Sequence, residues 1–125
     1  MFNVFIVALG GGIGAALRHL AGLAAIRLLG PGFPYATMFV NVVGSFVMGA
    51  FIELLARRLG ASAELRLFFA TGVLGGFTTF SSFSLDTALL YERGDLLLAA
   101  VYVLGSVVLG LAALFAGLAL VRAFG

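Results

Sequence analysis

Four apolar runs divide this chain, and between them lie only short stretches where proline, glycine and charge gather. The runs extend from about Phe2 to Ile26, Tyr35 to Leu55, Glu64 to Leu90 and Leu96 to Val121. A helix of about 20 apolar residues spans the hydrocarbon core of a bilayer, so four crossings consume nearly all of the 125 residues. The pattern therefore predicts an all-α integral membrane protein, one four-helix transmembrane domain over residues 1–125. Composition agrees: the chain is 63% hydrophobic and 10% charged, with a mean hydropathy of +1.25, where a soluble domain carries about a quarter charged residues. No length remains for a soluble catalytic domain, and no enzyme is expected. Cysteine is absent, which removes disulfides, thiolate chemistry and Cys-based metal sites, and the single His19 cannot form a His cluster. Met1-Phe2-Asn3-Val4 lacks the basic start of a signal peptide, so the first run is expected to stay as a helix.

Within the first span, small residues recur at Ala8, Gly12 and Ala16 and at Gly10 and Gly14. This small-xxx-small spacing lets helix backbones approach closely in lipid, so the face should pack against another helix. The run Gly10-Gly11-Gly12-Ile13-Gly14 is no dinucleotide fingerprint, because no strand-helix-strand alternation surrounds it. Arg18 lies inside or near the end of this span, where two readings stand: an inward-facing cation at a water-filled entrance, or a side chain snorkelling to the headgroups. The turn Gly30-Pro31-Gly32-Phe33-Pro34 follows. The second span then carries Thr37, Asn41, Ser45 and Gly49 at successive i, i+4 positions, a narrow polar or small stripe. An asparagine amide at membrane depth needs partners; it serves either as an interhelical hydrogen bond, worth about 0.6 kcal/mol, or as a pore-facing donor. Gly60 is expected to stop this helix and Ser62 to cap the next.

The third span differs from the others. In Gly75-Gly76-Phe77-Thr78-Thr79-Phe80-Ser81-Ser82-Phe83-Ser84, two glycines weaken the helix and five hydroxyls offer oxygens to the backbone groups so freed. A break is expected around Gly75-Gly76, within residues 75–79. Irregular backbone at membrane depth persists only where it is buried in protein or lines an aqueous path, which marks this stretch as the functional centre. It is not a phosphate loop, since the lysine and preceding strand of that motif are missing. In the fourth span Tyr102, Ser106 and Gly110 share one stripe.

Arginine placement bears on orientation. With four spans, Arg57, Arg58, Arg66 and Arg122 fall on one side of the membrane and Arg18, Arg27 and Arg93 on the other. Orientation follows an excess of Lys and Arg in cytoplasmic loops, and four against three is scarcely an excess. Insertion both ways round, and an isologous dimer with its two-fold axis in the membrane plane, are expected.

Taken together, the early glycine-rich segment leading to Arg18, the segment Asn41-Val42-Val43-Gly44-Ser45 and above all Gly75 to Ser84 resemble the Fluc family, the CrcB-type fluoride channels. The resemblance covers the whole chain. It implies an antiparallel, dual-topology homodimer in the plasma (inner) membrane, with two fluoride pathways and passive fluoride export that confers resistance. It also implies a central sodium ion on the backbone carbonyls of Gly75 and Thr78, aromatic fluoride contacts at Phe80 and Phe83, and polar pathway groups at Asn41, Thr79, Tyr102 and Ser106. Expected partners are fluoride, a second copy and lipid, with no nucleic acid. The acidic residue after the phenylalanines is often glutamate in such proteins and is Asp86 here.

The residues suit such an ion. Fluoride is small and tightly hydrated, so a pore must replace water with neutral donors without holding the ion too firmly. A phenylalanine edge is positive and its face negative, so an anion can lie against the edges of Phe80 and Phe83. The rival reading is a small proton-coupled multidrug-type exporter, which needs a titratable carboxylate deep in a helix. The first span has none, and Glu53 and Asp86 sit toward helix ends.

Overall fold

The computed structural model describes residues 1–59 and 62–124, and all its regular structure is helical. Helix α1 spans Phe2–Leu29 and ends at Gly30, whose φ of 81° suits only a residue without a side chain and whose N–H closes on the Ile26 carbonyl at 3.0 Å. The helix runs three residues beyond the expected Ile26, because apolar Leu28 and Leu29 offer nothing to stop it before the glycine. Helix α2, Tyr35–Leu54, starts behind Pro34 and continues as wider π turns over Leu55–Leu59. The expected stop at Gly60 lies outside the described residues. Ser62 caps α3, Ala63–Arg66, by accepting the Leu65 N–H at 3.3 Å. The third span then passes through π turns over Leu67–Leu74 into α4, Gly75–Phe77. Helix α5 covers Phe80–Glu92, and after Gly94 (φ 90°) α6 covers Leu96–Phe124.

Four segments are thus long and apolar enough to cross a membrane: Phe2–Leu29, Tyr35–Arg57, Ala63–Glu92 and Leu96–Phe124. They pack in pairs through missing side chains. On α2 and α6, Gly49 lies against Leu114 and Gly117 against Phe46, so closely that a methyl at either glycine would collide with backbone. On α1, Gly10 meets Phe68 and Gly72, and Gly14 meets Val73 and Phe77; a methyl on Gly10 would sit 2.5 Å from the Phe68 carbonyl. The Gly10/Gly14 stripe is the one used inside the chain, as its spacing predicts, whereas Gly12 faces open space. The aromatic core is thin. Leu90, Ala99 and a fully buried Tyr102 gather Phe33, Met38, Phe83 and Leu98 around them. Most other large apolar side chains point outward, as they should when the solvent is lipid.

The interruption does not fall on the glycines. Gly75 and Gly76 keep helical backbone, and the extended residues are Thr78 (φ −88°, ψ 161°) and Thr79 (φ −154°, ψ 121°). Threonine, branched at Cβ, is at ease there. Gly76 is needed for something else: a methyl on it would lie 2.5 Å from the Gly11 carbonyl and 3.1 Å from the Ala15 nitrogen, so its glycine permits the approach of α1.

Candidate functional site: a groove beside the Thr78–Thr79 interruption

Two threonines in extended backbone need partners that a helix no longer supplies, and α2 supplies them. The Asn41 side chain accepts the Thr79 N–H on Oδ1 at 2.7 Å and donates from Nδ2 to the Thr79 carbonyl at 3.0 Å. One amide thus stands in for a neighbouring strand. One turn on, Gly44 leaves room for the Thr78 methyl, which would collide with any side chain at that position. Asn41 and Gly44 form a paired seat, one binding backbone and the other receiving a side chain.

Following each donor across the interruption shows which carbonyls lose their helical partners. In a continuous helix the Thr79 N–H would serve the Gly75 carbonyl; here it goes to Asn41. The Ser82 N–H would serve the Thr78 carbonyl; it goes to the Thr79 hydroxyl at 3.1 Å, which caps α5. The Gly76 carbonyl receives the Arg18 Nε at 3.0 Å. The Thr78 hydroxyl turns back onto the Leu74 carbonyl at 2.9 Å, closing the end of α4. The Gly75 and Thr78 carbonyls are thus among those at the interruption whose helical donors have been diverted.

The outer side of the seat is an open groove of about 450 Å³ between α2, the interruption and α6, lined among others by Asn41, Ser45, Thr79, Phe80, Ser106 and Gly110. A smaller recess of about 160 Å³ adds Phe83 to Asn41, Ser45, Phe80 and Ser106. Phe80 is 79% exposed, and its ring lies 5.7 Å from that of Phe83. The Ser106 hydroxyl is buried and has no hydrogen-bond partner among the described residues. A buried hydroxyl without a partner costs about 1–3 kcal/mol, so its donor is available to whatever enters. The wall as a whole is neutral: one amide, a few hydroxyls and two phenylalanine rings, with no charged side chain among the lining residues.

Of the residues singled out in the sequence, Asn41, Thr79, Phe80, Phe83 and Ser106 converge on this groove and recess. Tyr102 does not line it. Its ring packs behind Phe83 at 5.2 Å, and its hydroxyl donates to Asp86 Oδ2 at 3.1 Å. The same oxygen accepts the Thr37 hydroxyl at 2.7 Å, so the polar stripe on α2 splits between two tasks. Sequence reasoning missed this Thr37–Asp86–Tyr102 cluster; the signal was there in the hydroxyl one turn before Asn41 and the one aspartate of α5, but nothing in spacing joins three helices. Arg18 turns inward to Gly76, and beside it opens a second cavity of about 450 Å³ on the α1 side, reaching Thr37, Thr79 and Ser82. Glu53, by contrast, sits between Arg57 Nε at 2.6 Å and Arg122 Nε at 2.9 Å at the far end of α2. No group of three or more His, Asp or Glu side chains that could hold a metal occurs among the described residues.

Comparison with known proteins finds relatives that match over nearly the whole chain. A protein from Agrobacterium fabrum named fluoride-specific ion channel FluC is 60% identical over 122 residues, covering 98% of both chains. Proteins of the same name from Mesorhizobium japonicum (59% identical, 98% of both chains) and Rhodopseudomonas palustris (59%, 94% of this chain and 95% of the relative) are equally similar. Residues 5–118 match the profile of the CrcB-like proteins, described as Camphor Resistance (CrcB), and with that coverage the chain belongs to the CrcB-like family.

Proposed function

We propose that the chain is a fluoride channel that lets fluoride leave the cell passively across the plasma membrane and so confers fluoride resistance. The observation that carries the proposal is the groove itself, where an unpartnered Ser106 hydroxyl, the Asn41 amide and the rings of Phe80 and Phe83 meet beside interrupted backbone. Near-full-length relatives named for fluoride conduction support it. Neutral donors suit a strongly hydrated anion that must enter and leave: each supplies a fraction of the lost hydration, and none holds the ion as a fixed cation would. Asn41 Nδ2 has two hydrogens, one committed to Thr79 and one left for the groove.

The working unit in this proposal is an antiparallel pair of copies in dual topology. Support comes from what a single chain leaves uncovered: the Phe80 ring, 79% exposed, the open groove, and Gly75, where a methyl would still clear the nearest atom, the Ala70 carbonyl oxygen, by 3.7 Å. Gly75 is not required to be glycine by packing within the chain, which suits a residue whose backbone meets a partner. The carbonyls of Gly75 and Thr78 fit a hard monovalent cation such as sodium, because they are oxygen donors whose helical N–H groups have been diverted. Two carbonyls per chain, doubled by a second copy, would hold the ion at the dimer centre, where its chemistry is to neutralise converging carbonyl dipoles. Tyr102 and Asp86 would extend the pathway behind Phe83.

The test is efflux from liposomes containing the purified protein, followed with a fluoride electrode, with chloride as control. Fast fluoride release with negligible chloride release is the expected result; equal rates, or none, would reject the channel. Replacing sodium by a large organic cation on both sides should slow fluoride, and sodium-independent flux would remove the cation from the account. Terminal tags reached from both sides of sealed vesicles are expected for dual topology, whereas a single accessible side would exclude it.

A further inference from the structure

The close-packed seam between α2 and α6 ends in a charged fork that the proposed pathway does not use. Glu53, its side chain only 11% exposed, accepts the Arg57 Nε on Oε2 at 2.6 Å and the Arg122 Nε on Oε1 at 2.9 Å. Sealing the seam would take one arginine; one carboxylate between two guanidinium groups leaves a positive charge in surplus. The Arg57 side chain is 40% exposed and that of Arg122 57%, and their terminal Nη groups make no hydrogen bond among the described residues. We propose that this fork seats the phosphate of an anionic membrane phospholipid, a role that does not depend on the chain's conducting fluoride.

Position, charge and shape point to a lipid. Arg57 closes the second apolar span, Tyr35–Arg57, and Arg122 stands near the end of the fourth, Leu96–Phe124, so both reach headgroup level. A guanidinium is a planar, permanently charged fork, and with Nε spent on Glu53 its Nη donors remain to meet phosphate oxygens. Glu53 also holds the two forks beside each other, so less side-chain freedom is lost when a phosphate arrives. Charge is in excess at this end of the bundle, where Arg57, Arg58, Arg66 and Arg122 stand against Glu53 and Glu64; at the other end Arg27 and Arg93 are matched by Glu92 and Asp95. Such a surplus at the headgroups attracts anionic lipid. Helical periodicity then sets Ala119 and Phe115 below Arg122 on one face of α6, and both are exposed, Phe115 by 64%. An acyl chain can run down that row from a headgroup held at Arg122. Free phosphate gains nothing from it, which is why the occupant is a lipid and not a soluble anion.

The experiment incubates the purified full chain in detergent with equal amounts of phosphatidylglycerol and phosphatidylcholine bearing the same acyl chains, then measures by mass spectrometry the lipid retained after size exclusion. Phosphatidylglycerol should be enriched about fivefold or more over phosphatidylcholine, and the preference should shrink at about 1 M salt. Arg122→Gln should lower the enrichment about fivefold, whereas Arg66→Gln, the same loss of charge at the same end but outside the fork, should leave it within about twofold of native. Glu53→Gln removes the opposing charge and keeps both arginines, so enrichment should hold or rise even if thermal stability falls; a fork that only ties α2 to α6 would lose both. Equal retention of the two lipids by the native protein would overturn the proposal, as would an Arg66→Gln loss equal to that of Arg122→Gln. Inorganic phosphate that displaces phosphatidylglycerol at matched concentration, or raises the melting temperature as much, would make the fork a site for a soluble anion and overturn the lipid. Should Arg122→Gln fail to fold, Arg57→Gln carries the same expectation, and a native preference untouched by salt would be equally fatal.

Discussion

The two faces of the interrupted third span are built by opposite rules. Toward α1 it closes backbone on backbone, with Gly14 against Val73 and Phe77, Gly76 against Gly11 and Ala15, and the remaining Gly76 carbonyl taken by Arg18. Toward α2 and α6 it is held at a few polar points, chiefly Asn41 on Thr79, and beyond them the groove stays open. Within the glycine seam, backbone contact leaves no room for a ligand. The open face has an unpartnered hydroxyl and an exposed ring. Extended backbone in the middle of a helix is costly unless its surroundings fix it. Rigidity on the α1 side is what allows the other side to present loosely satisfied groups without the segment simply refolding into helix.

The largest effects should come from breaking the closed face. Gly14→Val places a branched side chain where even a methyl would lie 2.8 Å from the Phe77 nitrogen, and the obstacle is backbone that cannot rotate away. Overpacking of this kind costs about 3 kcal/mol or more, enough to lose most of the monodisperse protein in a size-exclusion profile. Gly12→Val, two residues earlier on a face with nothing within 4 Å, should stay within about 0.5 kcal/mol. Similar losses at both sites would mean that the seam is not what holds the span.

Next in size is Asn41→Asp, aimed at the join between the two faces. Aspartate keeps an acceptor for the Thr79 N–H but has no donor for the Thr79 carbonyl, and it sets a negative charge on the groove wall. Losing a buried partner costs about 1–3 kcal/mol, and the charge opposes an anion directly. Folded protein should still be recovered, with liposomal fluoride flux reduced at least about tenfold. Undiminished flux at equal protein loading would place the pathway elsewhere.

How much of this was legible beforehand divides along the same line. The four spans and the α1 glycine seam follow from periodicities that one helix displays by itself, so Gly10 and Gly14 could be read directly. The convergence of Asn41, Phe80, Phe83 and Ser106 was reached through motifs, since no spacing within a helix says which residues meet across three. The break expected within residues 75–79 falls on Thr78 and Thr79 and not on the glycines, because glycine has two uses, to loosen a helix and to let another helix come close, and Gly76 serves the second. The threonines take the extended geometry because Asn41, 38 residues away, competes for the Thr79 N–H. The Asp86 cluster stayed hidden for a similar reason: Thr37 and Tyr102 come to it from other helices.

A smaller and more selective effect is expected from the rings. Phe80→Ile should leave the fold of the single chain nearly unchanged, because the ring is 79% exposed there, whereas Phe83→Ile gives up its contact with Tyr102, at 5.2 Å, and should cost about 0.5–1.5 kcal/mol. Both keep apolar bulk and lose the positive ring edge, so both should lower fluoride flux about tenfold, equivalent to about 1.4 kcal/mol in the barrier. A flux loss in Phe83→Ile alone would make stability the cause, and the ring edges would drop out of the argument.

The smallest expected effect is the most diagnostic of an open face. Ser106 sits on α6 with its hydroxyl buried in the groove wall and no partner among the described residues, an arrangement that burial alone disfavours. Were the residue there for packing, alanine would serve as well and function would not notice. Ser106→Ala removes the unsatisfied group, so thermal stability should stay level or rise by up to about 1 kcal/mol. If the hydroxyl donates to the passing anion, the same change should slow fluoride by roughly three- to tenfold, the loss of about one neutral hydrogen bond at the barrier. Stability and flux moving in opposite directions is a result that a packing role cannot produce. Unchanged flux in a stabilised Ser106→Ala protein would mean that the hydroxyl is a tolerated defect, and the polar wall would shrink to Asn41 and the threonines.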